Sequence, residues 1–502
     1  MRPTAEARQS AGPQGAGVLP CERRTASTLW PSPARSRRSA LVIRAIPASF
    51  LAVLCAEAAL AHASQQSFVL LLPTGLYIAG GVASVVLTVL LVALLPDRAA
   101  LAVFRPLTLG RSRGAAPSCW TSVAAFGLLA ILLGLGISGP HDPTRNPLPL
   151  ATWALWWVGI VTVQGTLVDV WRWINPWMGP YRLLCRATGA RPLLRLPRRV
   201  GHWPALAGFA TFAAVLVAHP SLGDPDALAP MIAAYWLANF LAMLVLGPKW
   251  LRRGEGLSVL MGNYATVALF GKRGGRWRAG LPGWQIAGRR APGLSLAIFM
   301  LMMLAVGSFD GLHETFWWLG VLGINPLEYP GRSAVEGSSL GGLAASLLLL
   351  PVIFAVAIQM GVRLAGEPVH LGEAFRTLAP AILPIALGYH FAHYFPSFLV
   401  DAQYALRAAS DPLSTGADLL DLGEFYVTTG FFNTRATVQA IWLAQAGSVV
   451  TGHVLAILLS HALAMRLFRS RRKAVLSQIP LASFMVLYTL FGLWLLASPR
   501  GA

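Results

Sequence analysis

The sequence predicts an all-α protein, a polytopic bundle of about ten transmembrane helices behind a cleaved signal peptide, and three observations carry that expectation. Of 502 residues, 55 % are hydrophobic and 12 % charged, with a mean hydropathy of +0.59, too few charges to dress a soluble surface of that size. The apolar residues gather into runs near the length that a bilayer core requires. Of the 40 Lys and Arg residues, source of a formal charge of +20, 27 collect in alternate connections between those runs. That is the positive-inside pattern of a multi-pass protein, and it argues against the nucleic-acid partner that so basic a chain would otherwise suggest.

The first residues stand apart from this pattern. Residues 1–38, rich in Arg, Pro, Ser and Ala, read as a disordered basic tail or as residues ahead of the true start. Residues 39–63 follow a basic stretch with an apolar core and end in A-H-A at Ala63, the form of a cleaved signal peptide with Ser64 as the first mature residue. The remainder, 64–502, is one transmembrane domain. Its apolar runs lie at roughly 74–96, 119–138, 148–168, 203–219, 228–247, 293–312, 340–361, 377–396, 438–464 and 480–498.

Charge decides the orientation of these runs. Arg98 and Arg105 follow the first run, Arg182 and Arg199 the third, Lys249 and Arg289 the fifth, Arg363 and Arg376 the seventh, Arg466 and Lys473 the ninth. These connections are expected in the cytoplasm, the longest at about 169–202 and 248–292, and both mature ends outside, in a bacterial inner membrane. The segments W-R-W-I-N-P-W and G-L-S-V-L-M-G-N-Y-A-T-V-A-L-F-G within them are expected to lie on the membrane face. The outer connection at about 396–437, with Asp401, Asp411, Asp418, Asp421 and Glu424, is long enough to fold over the helix ends as an acidic-rimmed lid. Cys21, Cys55, Cys119 and Cys185 form no C-x-x-C pair, so neither a disulfide framework nor a thiolate metal site is expected. There is no phosphate-binding G-x-x-x-x-G-K-[ST] loop, and the many glycines point to close helix packing.

Ionisable groups inside apolar helices are expensive, and here they cluster. G-Y-H-F-A-H-Y-F places His390 and His393 three residues apart on the eighth span, ~60° apart around a helix and so facing one direction. S-F-D-G-L-H-E-T sets Asp310, His313 and Glu314 at the outer end of the sixth, and His453 lies ~9 Å below the outer boundary of the ninth. If these helices are neighbours, His390, His393, His453, Asp310 and His313 supply imidazoles and a carboxylate suited to Zn²⁺ or another divalent transition metal, with an open position for water. Glu314 or Asp310 would then serve as general base. Each of these residues has a bland alternative: a histidine that only hydrogen-bonds a neighbouring helix, or, for His313 and Glu314, a solvated helix end. His461, near the cytoplasmic face, suits a structural or proton-passing role.

Three stretches also resemble a known family, the bacterial polytopic membrane proteins called fenitrothion hydrolases: A-H-A-S-Q-Q-S-F-V-L-L-L-P-T-G-L-Y-I-A-G-G, V-D-V-W-R-W-I-N-P-W and W-L-A-Q-A-G-S-V-V-T-G-H-V-L-A-I-L-L-S-H-A. They are spread over most of the mature chain, and none is a catalytic signature. The family pattern carries a charged residue after the last of these histidines where this chain has Ala462, which takes His461 out of the pattern. The resemblance implies hydrolysis of a lipophilic ester such as an organophosphorus triester at the outer face, with the bilayer and a small lipophilic substrate as partners. Two other classes stay open: a transporter or permease coupling a metal ion or proton through the same His and Asp residues, and a haem or redox assembly protein with histidines as axial ligands.

Overall fold

The computed structural model describes residues 69, 71–94, 96, 102–111, 119–326 and 331–500. The expected tail 1–38 and signal peptide 39–63 lie outside them. The described chain is mostly helical, and its main helices are α1 (Thr74–Leu94), α2 (Cys119–Ser138), α3 (Pro147–Thr166), α4 (Arg198–Ala218), α5 (Pro225–Leu246), α6 (Gly256–Tyr264), α7 (Leu294–Leu312), α8 (Arg332–Ala365), α9 (Leu383–Ser410), α10 (Arg435–Ala464) and α11 (Arg471–Ala497). Among the described residues, nine of these, all but α6 and α9, are long and apolar enough to cross a membrane. Cys119 and Cys185 are both free.

The core forms around α7, whose buried residues include Phe299, Met300, Leu301, Met302 and Met303. Helix α9 packs on α10, α7 and α3, and α11 packs on α8 and α10. The α9–α10 contact depends on missing side chains: a Cβ on Gly388 would lie 2.5 Å from the Ser448 carbonyl, and one on Gly452 2.6 Å from that of Pro384. Two backbones can approach this closely only where both helices carry small residues. Ser448 Oγ then reaches across to donate to the Gly388 carbonyl at 3.0 Å.

Three features depart from the sequence expectations. The first is the length of α9, which does not stop near Pro396 but runs on to Ser410, so that the outer connection begins at Asp411. Proline removes the N–H that the Ala392 carbonyl would accept. Gln445 Nε2 of α10 donates to that carbonyl at 2.6 Å and repairs the defect. In the connection itself, Asp411 accepts from the amides of Thr415 and Gly416, and Asp418 from those of Leu422 and Gly423, all within 2.9 Å. These are two turns of one form in succession, and their carboxylates are spent on backbone amides rather than displayed as an acidic rim.

The second departure is α6, which is packed inside the protein rather than exposed along its surface. Seven of its nine residues are buried, and it enters the bundle between α3 and α4. Glu255 starts it, accepting from the amides of Leu257 at 2.7 Å and Ser258 at 2.5 Å and from the Tyr235 hydroxyl. Burial pushes the Glu255 carboxyl above the usual carboxylate range despite those donors. In W-R-W-I-N-P-W likewise, Trp171 and Trp177 are buried, and the Gln164 side-chain carbonyl accepts from the Trp171 amide at 2.9 Å.

The third departure is a small antiparallel sheet of order β1-β3-β2, from β1 (Leu107–Arg111), β2 (Phe270–Arg273) and β3 (Arg276–Ala279). Gly274 and Gly275, with φ of 59° and 71°, close the β2–β3 hairpin. A G-G pair with both residues at positive φ matches the twist of a two-residue hairpin, an element that a search for apolar runs overlooks.

Candidate functional site

The buried carboxylate of α7 is the centre of the site. Asp310 and His393 form an ion pair, Oδ2 to Nε2, at 3.0 Å, with side chains 6 % and 8 % exposed. Tyr394 donates its hydroxyl to the same Oδ2 at 2.5 Å. One carboxylate oxygen thus takes two donors from adjacent positions of α9, which is how a charge remains tolerable among apolar helices.

His393 Nδ1 and the Tyr389 hydroxyl have no hydrogen-bond partner in the described structure. Both border Gly311, where a Cβ would run into the Tyr389 hydroxyl and lie 3.5 Å from His393 Nδ1. The glycine after Asp310 therefore keeps open the space that these two polar atoms share. His393 Nδ1, the ring nitrogen that the carboxylate does not engage, borders that space.

His390 faces a different neighbour. Its Nε2 donates to the Trp157 carbonyl at 2.7 Å, and its ring lies 6.1 Å from that of Tyr264 at the end of α6. Trp157 sits in a π-helical stretch, Ala151–Ile160, within α3. Widened turns of this kind and a buried non-spanning helix are both irregularities that recur at functional sites. Tyr394 stands between the two imidazoles, its ring 5.0 Å from His390 and 4.6 Å from His393. The expected single direction for the pair is thus divided, His393 toward α7 and His390 toward α3.

His453 is buried lower in the bundle. Its Nδ1 donates to the Val449 carbonyl of its own helix at 2.9 Å, and its ring lies 6.5 Å from Tyr488, whose hydroxyl shares a 2.5 Å hydrogen bond with Ser308 Oγ. Two turns along α10, His461 Nδ1 accepts from Gln478 Nε2 at 3.1 Å. Among these groups on α7, α10 and α11, Ser308 and Tyr488 are joined by a hydrogen bond, and His453 Nε2 has no hydrogen-bond partner in the described structure.

Glu314 and His313 lie where α7 ends. His313 Nδ1 donates to the Asp310 carbonyl at 2.8 Å, and its Nε2 is 3.6 Å from Glu314 Oε1, which takes a 2.7 Å ion pair from Arg332. Arg332 borders an open cleft of about 510 Å³, also lined by His141 and Asp224. The Arg332–Glu314–His313 series connects that cleft to the main chain of Asp310.

The metal centre expected from the sequence is not assembled by these residues. Asp310 pairs with His393, while His390 Nε2 is directed to the Trp157 carbonyl of α3 and the ring of His453 lies beside Tyr488 of α11. Among the described residues no group of three His, Cys, Asp or Glu side chains is placed to hold a metal ion. Tyr389, Tyr394, Trp157, Tyr264 and Arg332 belong to the site although no sequence argument selected them. For Tyr394 the sequence signal is a phenol hydroxyl flanking histidines in an apolar run, which finds its partner in Asp310.

No protein-family model, no curated protein and no solved structure matches the chain.

Proposed function

We propose that this chain is a multi-pass transporter or permease of the bacterial inner membrane, in which Asp310 and His393 bind and release a proton as a small solute crosses. In this reading α9 is a tenth span, a signal peptide precedes the first, and the Asp310 end of α7 faces the periplasm. The observation that carries the reading is the Asp310–His393 pair buried inside the bundle. Intramembrane Asp and His residues that alternate between polar partners are the usual means of proton relay. The π-helical stretch of α3 and the buried α6, meeting at His390, resemble the broken helices that line solute sites in transporters. Arg332, Glu314 and His313 would connect the relay to the outer cleft.

Infrared difference spectra recorded across a pH step on protein in liposomes test this directly. A carboxylic-acid carbonyl band that titrates in the wild type and vanishes in Asp310→Asn is the expected result. A spectrum that the substitution leaves unchanged removes Asp310 as the exchanging group, and the reading with it.

A second reading, hydrolysis of a lipophilic phosphotriester, is favoured by the unpartnered His393 Nδ1 beside the unpartnered Tyr389 hydroxyl. His393 would take a proton from water as its oxygen attacks phosphorus. Tyr389 would hydrogen-bond the phosphoryl oxygen, and the P–O bond to the aryloxide would break, with the proton passing to the leaving group. Release of nitrophenolate from an aryl phosphotriester, abolished in His393→Ala, is the outcome that this reading requires. Equal release by the two proteins disposes of it.

A further inference from the structure

A group of cations lines a cleft of about 190 Å³ between the end of α3, α6 and the β2–β3 hairpin. Arg172, Lys272 and Arg289 line it together with one carboxylate, Asp169. Asp169 already accepts from Gln164 Nε2 at 2.9 Å, and none of the three cations has a carboxylate within ion-pair distance among the described residues. Two of them rest instead on aromatic faces: the Lys272 ammonium is 4.6 Å from the Trp277 ring centroid, and the Arg172 guanidinium 5.5 Å from that of Trp173.

A basic end is expected of any inner-membrane protein, but scattered loop charge does not explain this arrangement. These cations converge on a concave site, where mutual repulsion costs free energy unless a counter-charge is present. The wall also leaves room for a ligand: Gly262 lines the cleft, and a Cβ built there meets nothing within 4 Å. The tryptophans give the cleft the aromatic edge typical of a membrane interface.

We propose that this cleft binds a phosphate group, with the Arg172 and Arg289 guanidinium groups and the Lys272 ammonium donating to its oxygens. A phosphate carries the oxygens to occupy two guanidinium forks and an ammonium at once, and its charge offsets the excess of cations over Asp169. The group could come from two sources, the headgroup of an anionic phospholipid or free phosphate.

Thermal unfolding of the full chain purified in neutral detergent distinguishes them. One arm adds phosphatidylglycerol to the micelles, with phosphatidylcholine as the uncharged control, and the other adds inorganic phosphate. A saturable rise in Tm with phosphatidylglycerol alone assigns the site to a headgroup, and a rise with inorganic phosphate assigns it to the free ion. The Arg172→Gln, Lys272→Gln double variant should need at least tenfold more ligand for half-saturation. Gly262→Leu, which keeps every charge and meets no neighbouring atom at its Cβ but fills the cleft, should weaken binding similarly. Either no rise in either arm or a rise that both variants retain overturns the proposal.

Discussion

Helices α1 and α7 are alike as apolar runs of about one bilayer crossing, yet 11 % of the most apolar stretch of α1 is buried inside the protein against 78 % of that of α7. Helix α1 turns Leu87 and Leu91 outward, 55 % and 53 % exposed, where lipid would solvate them as well as protein does. Helix α7 is enclosed by protein and can therefore hold a carboxylate that lipid would not accept. Apolarity thus selects a helix for the membrane, and enclosure decides whether that helix can carry chemistry.

The largest effect should come from breaking the enclosed pair. Asp310→Ala leaves the donors His393 and Tyr394 without their acceptor, and His393→Ala leaves the carboxylate with Tyr394 alone; removing one partner of a buried pair costs ~3–5 kcal/mol. Leu91→Ala on the lipid-facing side of α1 should change stability by less than ~0.5 kcal/mol, as an outward substitution usually does. Unfolding of the three variants in mixed micelles compares them directly. Equal losses for Asp310→Ala and Leu91→Ala would mean that the α7 pair is not an enclosed charge at all.

What the sequence made legible follows the same division. Hydropathy and charge located the nine span-length helices, with α8 and α11 beginning eight and nine residues earlier than their apolar runs, since lipid tests each apolar run by itself; the prominence of Asp310 and His393 could be read from ionisable groups in apolar surroundings. What could not be read was adjacency. His390 and His393 are one turn apart but serve α3 and α7, because the direction of each ring is set by whichever neighbour offers a partner, the Trp157 carbonyl or Asp310. Tyr394 escaped notice as one more aromatic residue although it completes the carboxylate's shell. The length of α9 exceeds its apolar run because the backbone defect at Pro396 is repaired by Gln445, a residue 49 positions later.

Glycines sharpen the contrast at intermediate cost. Gly452 of α10 touches the backbone of α9, with a Cβ 2.6 Å from the Pro384 carbonyl and 3.2 Å from Ile385 Cα, whereas Gly134 of α2 has nothing within 4 Å. Backbone cannot step aside as a side chain does, so Gly452→Ala should cost ~1–3 kcal/mol by forcing the helices apart. It should also displace His453, the next residue. Gly134→Ala should be neutral or stabilise by up to ~1 kcal/mol through its better helix propensity. Melting curves of the two variants decide whether the glycines of α10 differ from those of a peripheral helix. A neutral Gly452→Ala would mean that α9 and α10 pack less closely than described here.

The smallest expected effect separates the two ends of one short segment. Asp310 and Glu314 are four residues apart, and each holds a cation, but Glu314 and Arg332 keep 24 % and 30 % of their side-chain surface exposed where Asp310 and His393 keep 6 % and 8 %. Water and salt reach the first pair and screen it, so Arg332→Gln should cost only ~0–1 kcal/mol, less still at high ionic strength. The loss in His393→Ala should hardly respond to salt, because the Debye atmosphere does not enter the bundle. Melts of both variants from low to high salt test this as a difference in slope. A salt-sensitive His393→Ala would place solvent ions beside Asp310 and turn the enclosed pair into a hydrated one, the condition that a continuously open path would create.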